Sequence, residues 1–236
     1  MKQRALLGGI LLLASWLAAV AGGPLTAAAP PAAQAGFTAD KGKLRILQGG
    51  AEAGAEQFEL AQSGDFWIAH GETVLHSPDG EIRSTGQLRL KADGTPVHYE
   101  WMAQSPKKVS GTVDFADGTA KTSLNLGGKA PVLQDFKFDS PRVAILDNNL
   151  YDQYAILARL YDWNAKGTQT FPVLIPQDTT PGSITLEPLG SKTFNGAALD
   201  GLRVRSADLE IEVYFDARRR LMRLEVPDAN VVVTRE

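Results

Sequence analysis

The chain has 236 residues, of which 44% are hydrophobic, with 24 basic and 27 acidic side chains and no cysteine. A formal net charge of −3 argues against nucleic acid as a partner, because proteins that bind nucleic acid carry basic patches or stripes. The lack of cysteine excludes a small extracellular module held by disulfides. A chain of this length can instead bury a hydrophobic core of ordinary size.

The beginning of the chain has the layout of a secretory signal peptide. Lys2 and Arg4 precede an apolar run over residues 5–21, and small residues and prolines follow. Cleavage is predicted after Ala21 or after Ala29, and retention of the leader as a membrane anchor is the alternative. Cleavage leaves 22 basic and 27 acidic residues, a net charge of −5, and no stable membrane span. We therefore expect a periplasmic or secreted protein.

Three parts of the chain are predicted. Residues 1–29 form the signal peptide, residues 30–39 form a disordered spacer rich in alanine and proline, and residues 40–236 form a single β-rich domain. Short runs of alternating apolar and polar residues, broken by turn residues, fill the domain. Alternation over such lengths is typical of half-buried strands, and we predict about a dozen of them.

Asp-Gly pairs mark the connections between these strands. The pairs are Asp79-Gly80, Asp93-Gly94 and Asp117-Gly118. Asp-Gly favours a tight hairpin because both central positions of a type I′ turn need a positive φ. The clearest hairpin joins residues 109–115 to residues 119–126, and another joins 87–91 to 97–102. The pattern predicts a sequential antiparallel meander, in which each strand pairs with its neighbour in the chain.

The hydrophobic period changes in the middle of the chain, over residues 143–163. Apolar residues recur there at helical spacing: Leu150, Tyr154, Leu157 and Tyr161. Asp147, Asn148 or Asn149 can cap the start of a helix, and Pro172 forbids its continuation. We predict one helix of about 14 residues, from about Asn148 to Tyr161.

The predicted fold class is mainly β. A sheet of about a dozen strands must curl or close, and a helix with an apolar face needs a surface to pack against. We therefore expect a strongly curved antiparallel meander, a half-barrel or open barrel, with the central α-helix packed on its concave face. A closed barrel with the helix capping one end is the alternative.

The sequence contains no complete catalytic motif, and we expect no catalytic residue, metal or cofactor. The histidines are His70, His76 and His98, and the first two make an incomplete zinc site because catalytic zinc usually has three protein ligands.

Two carboxylate pairs could supply acid and base to a hydrolase: Asp147 with Asp152, and Asp65 with Glu72. Helix capping, the helix dipole and turn formation explain Asp147, Asp152 and Asp65 equally well. A hydrolase on a β scaffold is therefore a third hypothesis, behind two kinds of binding protein.

Aromatic side chains are the stronger indication of a binding site. Tyrosine and tryptophan suit the wall of a pocket because they combine apolar area with a polar tip. The predicted ligand-binding residues lie on the helix and the middle strands: Leu150, Tyr151, Tyr154, Leu157, Tyr161, Trp163, Trp67 and Trp101. The alternative is that these side chains are simply the core.

Two segments carry a resemblance to a known class of protein. They are the run Gly54-Ala55-Glu56-Gln57-Phe58 and the segment Leu146-Asp147-Asn148-Asn149-Leu150 with Gln153 and Tyr154. Together with the layout of residues 40–235, they resemble the envelope half-barrel proteins of the lipoprotein-carrier (LolA/LolB-like) class and neighbouring exported families of unknown function. The resemblance implies a curved, incomplete barrel with helical lids over an apolar cavity, and carriage of acyl chains across the periplasm.

Two binding functions follow as hypotheses. The first is a periplasmic carrier that holds an apolar or amphipathic, lipid-like ligand between the sheet and the helix. The second is a structural or assembly factor of the envelope that has a dry core and acts through a protein partner. The space between helix and sheet distinguishes them, because a carrier needs a cavity there.

Overall fold

The computed structural model describes residues 37–236 except Asp79, Lys129 and Asp208. The predicted signal peptide and most of the predicted spacer lie outside the described residues. The chain divides into two units, residues 1–31 and 32–236, and every described residue belongs to the second. Within the described residues, no helix combines the length and the apolar character that crossing a membrane requires.

The described chain forms fifteen strands and one α-helix. The strands are β1 Asp40–Gln48, β2 Ala51–Ser63, β3 Phe66–Ser77, β4 Gly80–Leu90, β5 Pro96–Ser105, β6 Lys107–Ala116, β7 Thr119–Asn125, β8 Val132–Lys137, β9 Ala144–Ile145, β10 Gln169–Ile175, β11 Thr180–Phe194, β12 Ala197–Arg205, β13 Glu210–Phe215, β14 Leu221–Val226 and β15 Val231–Arg235. The helix is α1, Gln153–Leu160, and 3-10 turns follow β10 (Pro176–Asp178) and β14 (Pro227–Ala229).

All fifteen strands belong to one sheet. Its order runs from β8 down to β1, then from β15 down to β9, so the first and last strands pair in the middle. Neighbours are antiparallel except β9 and β10, which are parallel. The predicted mainly β fold is confirmed as a large, open, curved antiparallel sheet with one helix. Asp117 and Gly118 lie between the antiparallel strands β6 and β7 and have φ of 51° and 72°. They form the tight turn that the Asp-Gly pair predicts.

The inner face of the sheet encloses the helix. Along strands such as β2 and β4, side chains alternate between buried and exposed, so one face of the strand contributes to the core. Seven of the eight residues of α1 are buried. A surface helix buries only one stripe, so α1 is enclosed on nearly every side. Phe37, in the segment predicted as spacer, also packs into this core with its ring centroid 5.5 Å from that of Trp67.

The helix is shorter than predicted, and its start was predicted wrongly. It spans eight residues rather than about 14, and Asp152 occupies the N-cap position without a side-chain capping bond. Asn149 has a φ of 62°, which interrupts a right-handed helix. The carboxylate of Asp147 does not cap the helix, because it accepts hydrogen bonds from Tyr99 and Gln177 instead. The helix ends at Tyr161, whose backbone is extended.

Two glycines on the inner face make room for the segment that enters the helix. Gly71 on β3 and Gly86 on β4 lie directly opposite each other in the sheet. A Cβ at Gly71 would lie 2.6 Å from Oδ1 of Asp152, and one at Gly86 would lie 2.7 Å from Cδ1 of Leu150. The sequence pattern predicts two short strands on either side of Gly71, whereas a single strand, β3, runs through it. This glycine does not form a turn, and its missing side chain leaves the space that Asp152 occupies.

Alanine at either glycine should destabilise the protein. We expect Gly71→Ala and Gly86→Ala each to lower the free energy of unfolding by about 1–3 kcal/mol, because the added methyl overpacks the interior. Gly182→Ala is the matched control, since its Cβ would meet only Val173 at an ordinary 3.6 Å. Urea unfolding measures all three, and equal stabilities for the three variants would contradict this account of the packing.

Candidate functional site

A buried carboxylate holds the segment before the helix against the sheet. Glu56 lies on the inner face of β2 and has no solvent exposure. Its Oε1 accepts the backbone N–H of Asp152 at 2.7 Å, and its Oε2 accepts the backbone N–H of Tyr151 at 2.7 Å. The hydroxyl of Thr73 on β3 also donates to Oε2 at 2.9 Å. One side chain therefore satisfies two amides that would otherwise be unpaired at the helix start.

A second buried network lies beside the first. Asp147 accepts hydrogen bonds from the hydroxyl of Tyr99 at 2.9 Å and from the backbone N–H of Gln177 at 2.9 Å. The amide of Gln153 donates to the same Tyr99 hydroxyl at 3.0 Å and accepts the backbone N–H of Asp147. Strand β5, the helix and the 3-10 turn after β10 are thus joined around one carboxylate.

Burial changes the protonation of these acids. It raises the pKa of Asp147 to about 7, although the hydrogen bonds from Gln177 and Tyr99 oppose the change. Burial also raises the pKa of Asp152 to about 6. The pKa of Glu56 is raised well above its usual range by burial and by the nearby Asp152. Glu56 and Asp152 interact, so they titrate as a pair rather than independently.

The predicted ligand-binding residues fall into two groups by burial, four buried and four half-buried. Leu157, Tyr161 and Trp101 are part of the hydrophobic core, and Leu150 is buried beside Gly86. Four half-buried aromatic residues pack against that core: Tyr151, Tyr154, Trp163 and Trp67. The structure therefore gathers this set around the helix as packed side chains, and their role in binding a ligand stays a prediction.

Two cavities in the described structure lie outside the space between helix and sheet. The larger, about 400 Å³, is an open trough across β3–β7. Its polar side chains belong to the outer face, since they alternate with the buried set: His70, Thr85, Gln87, Glu100, Ser110, Thr112, Ser123 and Asn125. The smaller, about 250 Å³, lies at the C-terminal end of α1 and is lined by Tyr161 and Trp163 among others. Tyr154 and Leu157 line neither cavity.

The histidines lie apart from one another on the surface of the sheet. His70 Nε2 is 3.3 Å from a carboxylate oxygen of Glu72 on the same strand, and His98 Nδ1 is 2.7 Å from Asp114. His76 is exposed near the end of β3. Across the described ranges, no three His, Cys, Asp or Glu side chains are grouped in a way that could hold a metal ion.

The two predicted carboxylate pairs occupy different environments. Asp147 and Asp152 are both buried. The carboxylate of Asp147 accepts hydrogen bonds from Tyr99 and Gln177, whereas Oδ1 of Asp152 has no hydrogen-bond partner among the described residues. Asp65 is exposed in the turn between β2 and β3, and Glu72 is exposed on the outer face of β3. Neither pair lines either of the two cavities.

The two edges of the sheet differ in exposure. At one edge, both residues of β9 are buried. At the other, β8 pairs only with β7, and five of its six residues are exposed. The exposed large hydrophobic residues of the described chain, Leu126, Val132 and Leu133, are 60%, 46% and 70% exposed, and all lie on this strand or the connection before it.

The backbone of β8 offers unpaired groups along its free side. The N–H of Phe138 donates to the carbonyl of Gly118 at 2.8 Å, so these opposite residues form a hydrogen-bonded pair. Such pairs alternate along an antiparallel ladder. The backbone N–H and C=O groups of Leu133, Asp135 and Lys137 therefore point away from β7.

Sequence reasoning missed the importance of Glu56. The strand pattern contains a signal for it, because Gly54, Glu56, Phe58 and Leu60 alternate on the face that is buried. A glutamate among apolar inward positions needs a partner that neutralises or hydrogen-bonds it. That partner is the backbone of Tyr151 and Asp152, about 95 residues away in the chain, and no local pattern indicates it.

Comparisons with known proteins support the fold. No protein-family model matches the chain, and no curated protein matches it. The fold is similar to the crystal structure of a β-barrel-like protein of domain of unknown function DUF1849 from Brucella abortus. The TM-score is 0.55 and the identity 10%, over 83% of this chain and 94% of that chain. The comparison supports a β-barrel-like fold for this chain and shows no link to the lipoprotein carriers.

Stability should fall as the pH rises through the raised pKa of Asp147. An unfolded aspartate has a pKa of about 3.9, so between about pH 4 and pH 7 the folded protein binds more protons than the unfolded chain. We expect this group to lower the free energy of unfolding by up to about 1.4 kcal/mol per pH unit over that range.

The isosteric variant Asp147→Asn removes this titration and should reduce the slope of the free energy of unfolding against pH. The slope that remains comes from Glu56 and Asp152, whose pKa values burial also raises. Glu59→Gln, which changes an exposed carboxylate on the outer face of β2, is the control and should leave the slope unchanged. If Asp147→Asn retained the slope of the natural protein, a different group would have to bind the proton.

Proposed function

We propose that this protein is exported to the cell envelope and acts there by binding a protein partner, with no chemistry of its own. The observation that carries the proposal is the contrast between a buried helix and an exposed edge strand of the sheet. Seven of the eight helix residues are buried, whereas five of the six residues of β8 are exposed. Export itself rests on the predicted signal peptide.

The partner we infer is an extended segment of another envelope protein, added to the sheet beside β8. Backbone groups of Leu133, Asp135 and Lys137 are available for the new ladder, which is how strand addition gains affinity. Val132 and Leu133 would bury apolar surface against the partner. Asp135 and Lys137 favour a partner with charges of opposite sign at the facing positions.

The hypothesis of a lipid carrier receives less support from the geometry. A carrier of that kind needs open space between helix and sheet, and the two cavities described above lie on the outer face and at the end of the helix. The predicted ligand-binding residues Leu150, Leu157 and Trp101 are at most 4% exposed. Carriage of an apolar ligand therefore stays a prediction for these residues.

Proline substitution along β8 can separate partner binding from folding. Proline lacks an N–H donor, and within sheets it is tolerated where that donor faces away from the ladder. The N–H of Asp135 faces outward, so Asp135→Pro should remove a bond to the partner while changing the free energy of unfolding by only about 0.5 kcal/mol. The N–H of Gln134 faces β7, so Gln134→Pro should cost about 1–3 kcal/mol.

Photo-crosslinking in intact cells measures the interaction. A crosslinking amino acid at Leu126, beside the strand, should give a product of defined mass that disappears in Asp135→Pro. The same amino acid at Glu59, on the outer face of β2, is the positional control and should give no such product. A product that persists in Asp135→Pro, or a product formed only between two copies of this chain, would contradict the proposal.

A further inference from the structure

The smaller cavity has an unusual concentration of positive charge. It lies between the end of α1 and the turn that joins β13 to β14, and its volume is about 250 Å³. Its charged lining consists of Arg159, Arg218 and Arg219 against Asp162. Oδ1 of Asp162 accepts the backbone N–H groups of Asn164 and Ala165 and so helps to shape the loop, and three arginines face this single carboxylate.

Arg159 is a buried cation that has no carboxylate partner among the described residues. It lies in the last turn of α1 and is only 9% exposed. Its Nη1 donates to the carbonyl oxygens of Ala155 at 3.1 Å and Arg219 at 3.0 Å. A guanidinium has five N–H donors. The donors on Nε and Nη2 make no hydrogen bond within the described chain, and the side chain lines the cavity.

The nearby carboxylates are already bonded to other arginines. Asp40 forms a two-pronged pair with Arg235, at 2.6 and 3.0 Å. Asp216 is bonded by Arg220 at 2.7 and 2.8 Å. Burial lowers the pKa of Arg159, and the more distant charges of Asp40 and Asp216 oppose that change only in part. The guanidinium of Arg159 also lies 5.7 Å from the ring centroid of Phe37, but it has no counter-ion among the described residues. A buried charge without a counter-ion is costly, and an anion in the cavity would offset that cost.

The remaining walls of the cavity are held in place. The guanidinium of Arg219 lies 3.6 Å from the ring centroid of Trp163 and donates to Asp200 at 2.6 Å. Arg219 adopts a φ of 62°, which is unfavourable for a side chain of this kind. The indole N–H of Trp163 donates to the carbonyl of Ala158 at 2.7 Å. The side chain of Arg218 is exposed at the rim and makes no ion pair with the described residues, so it can turn toward a bound anion.

We propose that this cavity binds the oxyanion group, a phosphate or a carboxylate, of a small ligand or lipid head group. Arg159 provides the buried charge, Arg218 closes over the ligand from the rim, and Trp163 with Arg219 forms the rigid wall. Guanidinium groups match the paired oxygens of phosphate and carboxylate, and such charge-assisted hydrogen bonds are among the stronger ones in proteins. The volume is below that of sites for drug-sized ligands, which indicates a small group. This site is independent of the partner surface on β8.

Thermal unfolding at pH 7 tests the proposal on the purified protein. Sodium phosphate or sodium acetate should raise the Tm above that in sodium chloride of equal ionic strength, because a ligand that binds the folded state stabilises it. In Arg218→Ala and in Arg159→Met, the concentration that gives half of the shift should rise at least tenfold. Arg83→Ala, on the outer face of β4, is the control and should respond like the natural protein.

Two further measurements keep the result independent of folding. In chloride alone, Arg159→Met should change the Tm little, since removing a buried charge without a counter-ion offsets the loss of its hydrogen bonds to Ala155 and Arg219. The indole N–H resonance of Trp163, assigned by its loss in Trp163→Phe, should shift as phosphate is added.

A separate arm of the experiment distinguishes the sources of the anion. Sedimentation with phosphatidylglycerol vesicles tests for a lipid head group, and binding lost in Arg218→Ala would identify that source. A response to phosphate or acetate without vesicle binding would identify a small soluble anion. The proposal would be overturned if phosphate and acetate changed neither the Tm nor the Trp163 resonance and the protein did not sediment with vesicles. Equal responses from the natural protein, Arg159→Met and Arg218→Ala would also overturn it.

Discussion

The structure depends on one buried carboxylate, that of Glu56. It receives the backbone amides of Tyr151 and Asp152 from the inner face of β2, and so determines where the chain enters the helix. The donors at a helix start are usually satisfied by a local side chain or by water. Here a strand about 95 residues earlier in the chain performs that task, so the sheet and the helix cannot form their native arrangement separately.

Several other features follow from this anchor. Gly71 and Gly86 lack side chains because Asp152 and Leu150 occupy the space beside them. The helix begins only at Gln153, since the preceding amides are already bonded to Glu56. Buried acids are costly, and the hydrogen bonds they accept offset part of that cost. The interior is therefore specific in its geometry and sensitive to pH.

The helix is buried, whereas one edge of the sheet and one cavity at the end of the helix are open. The enclosed helix and the aromatic side chains around it stabilise the fold by burying apolar area. The exposed strand β8 and the arginine-lined cavity at the end of α1 are the features that packing leaves without partners within the described residues. The first has free backbone groups and apolar side chains, whereas the second has a buried positive charge. The ligands we propose for them differ accordingly, an extended polypeptide for the first and a small anion for the second.

Much of the fold could be predicted because its signals are local. Alternating side chains indicate strands, and Asp117-Gly118 indicates a tight turn through its positive φ angles. The helix was harder, since Leu150, Tyr154, Leu157 and Tyr161 recur at helical spacing beyond the helical segment itself. Apolar residues recur wherever the chain is buried, whether or not it is helical. The irregular residues before the helix, which Glu56 and Tyr99 hold in place, are buried as well.

The sequence by itself determined the class of fold, the pairing of successive strands and the existence of a central helix, because these depend on neighbours in the chain. The pairing of β1 with β15 joins the two ends of the described chain, and the tertiary structure alone decided it. Only the tertiary structure decided where the helix starts, which aromatic residues are packed and that the buried Arg159 lacks a counter-ion among the described residues. Those properties depend on groups such as Glu56 and Tyr151, or Arg159 and Arg219, that are distant in sequence. The electrostatic cost of burying a charged side chain depends on which groups the fold brings within a few ångströms of it. The pattern of residues along the sequence does not give those distances.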